Sequence, residues 1–190
     1  MDSKIRCGWV NLKNPRSIRY HDEEWGRPLH DEQKHFEFLM LESFQAGLSW
    51  ETILNRREGF RNAFADFDAQ KIAKYTDKEV KQLLENPNII RSRLKIVSAI
   101  ENAKIFLMIQ KEWGSFDRYI WHFTEGKIID HHPKTLKDLP ARNLLSEIIS
   151  QDLRKRGMKF IGPVIVYAHL QAIGVVNDHV EQCFCRSTKV

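Results

Sequence analysis

Two pairs of cysteine and histidine, one near each end of the 190-residue chain, have the side chains that bind transition metals. Cys7 and His21 lie near the start, and His179 and Cys183 lie near the end. Thiolate sulfur and imidazole nitrogen are the donors that zinc prefers in a closed tetrahedral site. In a helix, the four-residue spacing of His179 and Cys183 would place both side chains on one face. One ion held by all four would join the two ends; the alternative is ordinary buried thiols and surface imidazoles.

A glutamate lies beside the apolar face of a segment that begins at Asp31. Helical spacing places four apolar side chains on that face: Phe36, Leu39, Met40 and Phe44. Glu42 lies next to them, just before a turn, and a carboxylate is costly to bury there unless it has a partner or a task. We therefore take Glu42 as a candidate functional acid; the alternative is that it marks the solvated edge of the helix.

Aromatic residues are concentrated in the first quarter of the chain, at Trp9, Tyr20, Trp25 and Trp50. Aromatic walls can hold an extruded nucleic-acid base, because stacking contributes roughly 1–3 kcal/mol per base. The alternative is that these side chains are part of the hydrophobic core.

A second candidate site is the connection between two C-terminal helical segments. Gly157 is placed to end one helix, and Gly162 and Pro163 suit the start of the next. Free amides at a helix start bind phosphate, and basic side chains nearby would add charge: Lys155, Arg156 and Lys159. The alternative is an ordinary helix–helix corner with a solvated basic face.

The elements that position these residues are helical, and the predicted fold class is all-α. Thr76 and Glu79 form a capping box, Gly114 ends a long helix, and strand-like alternation is nearly absent. Only residues 127–130 have an extended pattern, and residues 133–140 suit a loop between two halves. We expect a single domain over residues 1–190, and the sequence leaves open whether it has two lobes.

Charge and cysteine usage restrict the class of protein. A net charge of +5 and a pI near 9.1 favour polyanionic partners without proving nucleic-acid binding. The cysteines number three, and neither a signal segment nor a membrane-spanning apolar run is visible. These features indicate a reduced intracellular protein, in which clustered cysteine and histidine are typical of metal binding rather than disulfides.

In their order and spacing, these motifs resemble the bacterial DNA-3-methyladenine glycosylases of type I over essentially the whole chain. The resemblance is carried by Cys7-Gly8-Trp9, Tyr20-His21-Asp22-Glu23-Glu24-Trp25-Gly26, Glu42 with Gln45-Ala46-Gly47-Leu48-Ser49-Trp50, Lys155-Arg156-Gly157 with Lys159-Phe160-Ile161-Gly162, and Val176-Asn177-Asp178-His179-Val180. It implies an all-α helix-hairpin-helix DNA glycosylase fold, with the hairpin at about 145–174 and a zinc site joining the N- and C-terminal segments.

The resemblance implies one structural Zn²⁺ per chain, bound by Cys7, His21, His179 and Cys183. Because four protein donors leave no open coordination position, such an ion would not activate water. Cys185 stays outside the set, although its proximity leaves open which C-terminal thiol binds.

The resemblance also implies a pocket for the damaged base. Its walls would be Trp9, Tyr20, Glu42 and Trp50, with Trp25 nearby. Ser17 stands where the family often has a second tyrosine, and Asn177 stands where other helix-hairpin-helix glycosylases carry a catalytic aspartate. An N3-alkylated adenine is cationic and already a good leaving group, so selective binding can replace a strong general acid or base. We expect Glu42, as the catalytic residue, to select and stabilise that cation; the alternative is that Glu42 activates water directly.

Duplex DNA must release the base before it can enter such a pocket. Gly47 and Leu48 lie on a turn, where an apolar wedge could enter the base stack, unless Leu48 packs inward. Lys159 and Gly162 would grip the DNA backbone.

The predicted protein is a monofunctional glycosylase, monomeric and cytoplasmic in a bacterium. It would act on double-stranded alkylated DNA, release free 3-methyladenine, leave an abasic site and have no membrane partner. The alternatives from other classes are a zinc-stapled DNA-binding module without chemistry, and a zinc hydrolase with an open metal site.

Overall fold

The computed structural model describes residues 4–187, and that part of the chain is mostly helical. Its α-helices are α1 (Pro15–Glu23), α2 (Glu32–Gln45), α3 (Trp50–Asn55), α4 (Arg57–Ala63), α5 (Ala69–Ile72), α6 (Asp77–Glu85), α7 (Arg93–Trp113), α8 (Phe116–His122), α9 (Leu144–Lys155) and α10 (Pro163–Ala172). The range also contains two short strands, β1 (Ile129–Asp130) and β2 (Val176–Asn177), and three short 3-10 helices at Ala65–Phe67, Leu136–Asp138 and Phe184–Ser187.

The helix ends follow local signals that the sequence predicts. Asp31 caps α2 by accepting a hydrogen bond from the amide of Lys34, and Thr76 and Glu79 form the capping box of α6. Gly114 ends α7 in the left-handed region, at φ 83°. These helices are therefore confirmed at their predicted boundaries.

Helix α2 is the central element of the fold. Every residue from 35 to 44 is buried, and its neighbours include α3, α7, α8 and α10. A helix that is buried on all sides must satisfy any charged side chain that it carries. Both Glu37 and Glu42 lie in this stretch.

The predicted extended segment contains β1, which pairs in parallel with β2. Ile129 is opposite Val176, and Asp130 is opposite Asn177. The all-α prediction is therefore right for most of the chain but omits this short pair. This pairing places residues 176–177, just before His179, beside residues 129–130. Within residues 4–187, no helix is both long enough and apolar enough to cross a membrane.

Candidate active site

The aromatic and acidic residues that the sequence predicts to form a pocket line one cavity of about 460 Å³. They are Trp9, Tyr20, Trp25, Glu42 and Trp50. Helices α1, α2 and α3 contribute Tyr20, Glu42 and Trp50, respectively. A cavity of this size, with aromatic walls and several polar side chains among them, can hold a small molecule or a base.

Glu42 is 2% exposed, and its Oε2 atom has no hydrogen-bond partner among residues 4–187. Glu37, five residues earlier on the same helix, is 4% exposed but accepts hydrogen bonds from Arg57 and Arg61, each at 2.8 Å. Burial without a partner leaves a carboxylate with its full desolvation cost. The interpretation of Glu42 as a solvated helix edge is therefore wrong, and its position indicates a ligand in the cavity.

Burial raises the pKa of the Glu42 carboxyl group to about 8. The cause is desolvation of the anion, because a low-dielectric surrounding favours the neutral acid. The pKa of Tyr20 is also raised, first by its own burial and next by the charge of Glu42. A cation placed beside Glu42 would reverse this effect and favour the carboxylate.

The aromatic side chains form connected walls. The ring centroids of Trp9 and Trp25 are 5.0 Å apart at 72°, and those of Tyr20 and Trp50 are 5.0 Å apart at 49°. The indole Nε1 groups of Trp9 and Trp50 are buried without an acceptor in the described range. Because buried donors normally have partners, these two N–H groups are exceptions to the usual pairing.

Several further cavity residues were missed by the sequence analysis: Asn11, Gln45, Ser49, Glu51, Leu54, Leu139, Ala168 and Gln171. Ser17, noted there only as a departure from the family pattern, also lines the cavity, and its hydroxyl accepts a hydrogen bond from the Asn11 amide at 3.1 Å. Glu51 accepts hydrogen bonds from Asn11 and Asn14, at 2.7 and 2.8 Å, which hold α3 against the N-terminal segment. Gln45 and Ser49 belong to the motif around Gly47 that carries the resemblance, whereas no local pattern distinguishes positions such as Asn11 and Gln171.

The turn between α2 and α3 lies beside this cavity. Gly47 has φ 78°, a left-handed conformation that favours glycine. Leu48 is 39% exposed. The alternative that Leu48 packs into the core is therefore wrong, and an apolar side chain remains available at the surface.

The connection between α9 and α10 has the predicted helix ends. Gly157 follows α9 with φ 103°, and Pro163 is the first residue of α10. Gly162 caps α10 without a side-chain hydrogen bond, and a Cβ there would meet nothing within 4 Å. The first amides of a helix lack partners within the helix, and the exposed Lys159 lies three residues before Gly162.

Arg156 does not contribute a free charge to this connection. Its guanidinium pairs with Glu112 at 2.5 Å and with Asp152 at 2.8 Å. The expectation that it adds charge beside the hairpin is therefore wrong, because two carboxylates already neutralise it.

The four predicted metal ligands form a buried cluster at a different place in the fold. Their donor atoms all lie within 4.8 Å of one another. Cys183 Sγ is 3.4 Å from both His21 Nε2 and His179 Nδ1, and Cys7 Sγ is 3.6 Å from His179 Nδ1. Sulfur and nitrogen ligands of a tetrahedral zinc ion lie about 3.5 Å apart, given typical bond lengths. The cluster can therefore hold a metal ion without rearrangement.

The outer nitrogen of each histidine has an acceptor, as in many metal sites. His21 Nδ1 lies 2.8 Å from Asp22 Oδ1, and His179 Nε2 lies 3.1 Å from the Trp25 carbonyl oxygen. Gly26 allows the second contact, because a Cβ at its φ of 73° would lie 2.9 Å from His179 Nε2. The cluster thereby touches the backbone of a residue that lines the cavity.

Two details of the C-terminal pair differ from the simplest expectation. His179 and Cys183 are brought together by a turn rather than a helix, in which the Cys183 amide donates to Val180 at 2.8 Å. Cys185 lies on the other side of His21, with its Sγ 3.9 Å from Nδ1, and is outside the four-donor cluster.

Asn177 lies outside the residues that line the cavity. Its Nδ2 is 3.3 Å from Asp130 Oδ2, and its Oδ1 accepts from the His179 amide at 3.3 Å.

His131 Nδ1 lies 2.8 Å from Asp178 Oδ1. His131 and His132 belong to no metal-binding group in residues 4–187.

A helical fold with a buried acid in an aromatic cavity is consistent with a glycosylase that recognises a base, and comparison with known proteins identifies the family. The chain belongs to the methyladenine glycosylase family, whose model matches residues 9–186.

Individual relatives match almost the whole chain. A Haemophilus influenzae protein named DNA-3-methyladenine glycosylase is 41% identical, over 96% of this chain and 98% of its own length. The Escherichia coli K12 protein named DNA-3-methyladenine glycosylase 1 is 42% identical, over 95% of this chain and 96% of its own length.

A solved structure agrees with these relatives. It is a variant of 3-methyladenine DNA glycosylase I in complex with 3-methyladenine, and it aligns with a TM-score of 0.93 and 34% identity. The alignment covers 97% of this chain and 99% of that chain.

Proposed function

We propose that this protein excises 3-methyladenine from alkylated double-stranded DNA by hydrolysis, leaving an abasic site for base excision repair. The bond between C1′ and N9 breaks, and its electron pair passes to the cationic base, which leaves as neutral 3-methyladenine. Water supplies the hydroxyl group at C1′ and releases a proton. The observation that carries this proposal is the buried, unpartnered carboxylate of Glu42 in a cavity with aromatic walls.

In this proposal, Glu42 selects the substrate by charge. An anion with no counterion among residues 4–187 is complementary to a base that is cationic, and less so to neutral adenine. Trp9, Tyr20 and Trp50 provide the surfaces against which the flat base packs, and Trp25 supports Trp9. Because the cationic base is already a good leaving group, the chain needs to bind and orient it rather than protonate it.

The proposed DNA contacts lie on two surface features. The exposed Leu48, on the turn with Gly47, would enter the base stack and fill the space that the extruded nucleotide leaves. The amides at the start of α10, with Gly162 and Lys159, would hold a backbone phosphate, so that α9 and α10 act as a helix-hairpin-helix. This contact grips DNA without reading its sequence.

The Cys7, His21, His179 and Cys183 cluster would hold one structural zinc ion. The spacing of the donors and the acceptors of the outer histidine nitrogens support this choice. The ion would hold the terminal segments together, and four protein ligands would leave no position for water. A zinc hydrolase therefore has no support in the donor set.

The test is to incubate the purified protein with methylated duplex DNA and to identify the released base by chromatography. We expect 3-methyladenine from the wild type, a single-turnover rate lowered about 100-fold in Glu42→Gln, and a smaller change in Asn177→Ala. Wild-type excision by Glu42→Gln would remove this carboxylate from the mechanism. DNA binding with no released base would favour the DNA-binding module without chemistry.

A further inference from the structure

Lys95, in the first turn of α7, reaches the C-terminal end of α2. Its Nζ group donates hydrogen bonds to the carbonyl oxygens of Phe44, at 2.8 Å, and Ala46, at 2.6 Å. Carbonyl groups at a helix end lack partners within the helix, and a positive charge there is favourable. Lys95 thus fixes the beginning of the turn that carries Leu48.

The same helix also holds the connection between α9 and α10. Asn102, which is 2% exposed, donates from Nδ2 to the Lys159 carbonyl oxygen at 2.9 Å. Its Oδ1 accepts from the Lys159 amide at 2.8 Å. Because Lys95 and Asn102 are seven residues apart, they lie on one face of α7, about 10 Å apart along its axis.

Helix α7 therefore sets the distance between the two features that the proposed function assigns to DNA. Lys95 holds the turn that carries Leu48, and Asn102 holds the backbone beside the proposed phosphate site. The Lys95 Nζ group also lies 5.9 Å from the centre of the Phe160 ring, within that same connection. A change at Lys95 would alter the turn relative to the hairpin without touching the base cavity.

We propose that Lys95 is a positioning residue for base extrusion, which holds the Leu48 turn at a fixed place relative to the hairpin. The inference rests on the proposed function, because it needs Leu48 to enter the duplex. Lys95 is not a direct phosphate contact in this proposal. Two of its three N–H donors are used by carbonyl groups, and its side chain is half-buried.

The test compares Lys95→Met with Lys104→Met in the full-length, zinc-loaded protein. Lys104 is on the same helix and forms an ion pair with the exposed Glu101, so its variant removes the same charge from the surface. Extrusion is measured by 2-aminopurine fluorescence beside the lesion, and excision by single-turnover kinetics. Affinity for free 3-methyladenine shows whether the cavity and fold are intact.

We expect extrusion and excision to fall about tenfold in Lys95→Met, with affinity for the free base within twofold of wild type. Affinity for undamaged duplex, and its dependence on salt, would also stay near wild type. Lys104→Met would behave as wild type. Lys95→Gln, which keeps polarity but loses the charge, should share the defect.

Wild-type extrusion by Lys95→Met would overturn the inference. So would weaker binding of Lys95→Met to all duplexes with a salt slope reduced by about one, because that result would identify a phosphate contact. Leu48→Ala separates this failure from that of the proposed function. If Leu48→Ala is defective and Lys95→Met is normal, only the inference fails. If Leu48→Ala is normal, the proposed wedge fails and the inference about Lys95 fails with it, whatever the behaviour of Lys95→Met. In the double variant, the two defects should not add, because both act through one turn.

Discussion

Gln171 donates a hydrogen bond from Nε2 to Oδ2 of Asp178 at 2.7 Å, and this contact fixes which end of its amide faces the cavity. Asp178 is fully buried and also accepts from the Tyr167 hydroxyl at 2.6 Å. Because a carboxylate can only accept, the amide nitrogen of Gln171 must face it. Gln171 lines the cavity, and the Oε1 atom of its side chain is the end of the amide that is not committed to Asp178.

This orientation predicts a role for Gln171 in holding the base. Gln171→Leu keeps the size of the side chain but removes the acceptor, so we expect affinity for free 3-methyladenine to fall about fivefold, the value of one neutral hydrogen bond. Isothermal titration calorimetry measures this affinity. Tyr167→Phe is the matched control, because it removes another donor to Asp178 without touching the cavity. Equal losses in both variants would assign the effect to the buried network instead.

The sequence predicts the local features of this fold well, because their causes lie within a few residues. Asp31 caps α2, and Gly114 ends α7, through contacts with near neighbours in the chain. Gln171 is different. The predicted role of Gln171 depends on its place in the cavity wall and on its contact with Asp178, which lies in a separate segment. No periodicity or motif at position 171 therefore indicates it.

The same distinction applies to Glu42 and Lys95. The sequence places Glu42 beside an apolar face, but only the packing shows that Glu37 is paired with arginines while Oε2 of Glu42 has no partner in the described part of the chain. Lys95 is one of many surface-type lysines in the sequence. Its contact with carbonyl groups about fifty residues earlier depends on how α7 crosses α2.

The raised pKa of Glu42 predicts a cost in stability. Between its ordinary value of 4.5 and about 8, the folded protein holds a proton that the unfolded chain has released. Stability from this group is therefore complete below about pH 4.5 and declines as the pH rises to about 8. We expect Glu42→Gln to be more stable than wild type at pH 8, by an amount on the order of 1–3 kcal/mol. Urea unfolding at pH 5 and pH 8 measures the difference, which should be much smaller at pH 5.

The same titration predicts the pH dependence of substrate capture. In the empty cavity, Glu42 is mostly neutral below its pKa of about 8, whereas a cationic lesion requires the anion. The second-order rate constant for excision, measured at enzyme concentrations well below saturation, should therefore rise by about tenfold or more between pH 6 and pH 8.5. Single-turnover measurements on lesion-containing duplex test this rise. A profile for Glu42→Gln that rises equally would assign the titration to another group.

The exposed Lys159 predicts a simple electrostatic effect. Its backbone is held by Asn102, so Lys159→Ala removes the charge while the connection keeps its shape. Affinity for damaged and undamaged duplex should fall by the same factor, and the slope of log affinity against log salt should shrink by about one. Fluorescence anisotropy over a range of salt concentrations gives both values. A loss restricted to damaged DNA would contradict a backbone contact.

The proposed zinc site predicts that stability, rather than chemistry, depends on the metal. If the four-donor cluster holds one zinc ion, Cys183→Ser should reduce the zinc content and lower the melting temperature by about 10 °C, because the ion would close a loop that spans most of the sequence. Cys185→Ser is the matched control, since this neighbouring thiol lies outside the four-donor cluster, and it should keep its zinc. Metal analysis and calorimetry measure both effects. At a temperature where Cys183→Ser remains folded, its excision rate should stay within a few-fold of wild type. An excision rate that falls in proportion to zinc content would instead place the ion in the reaction.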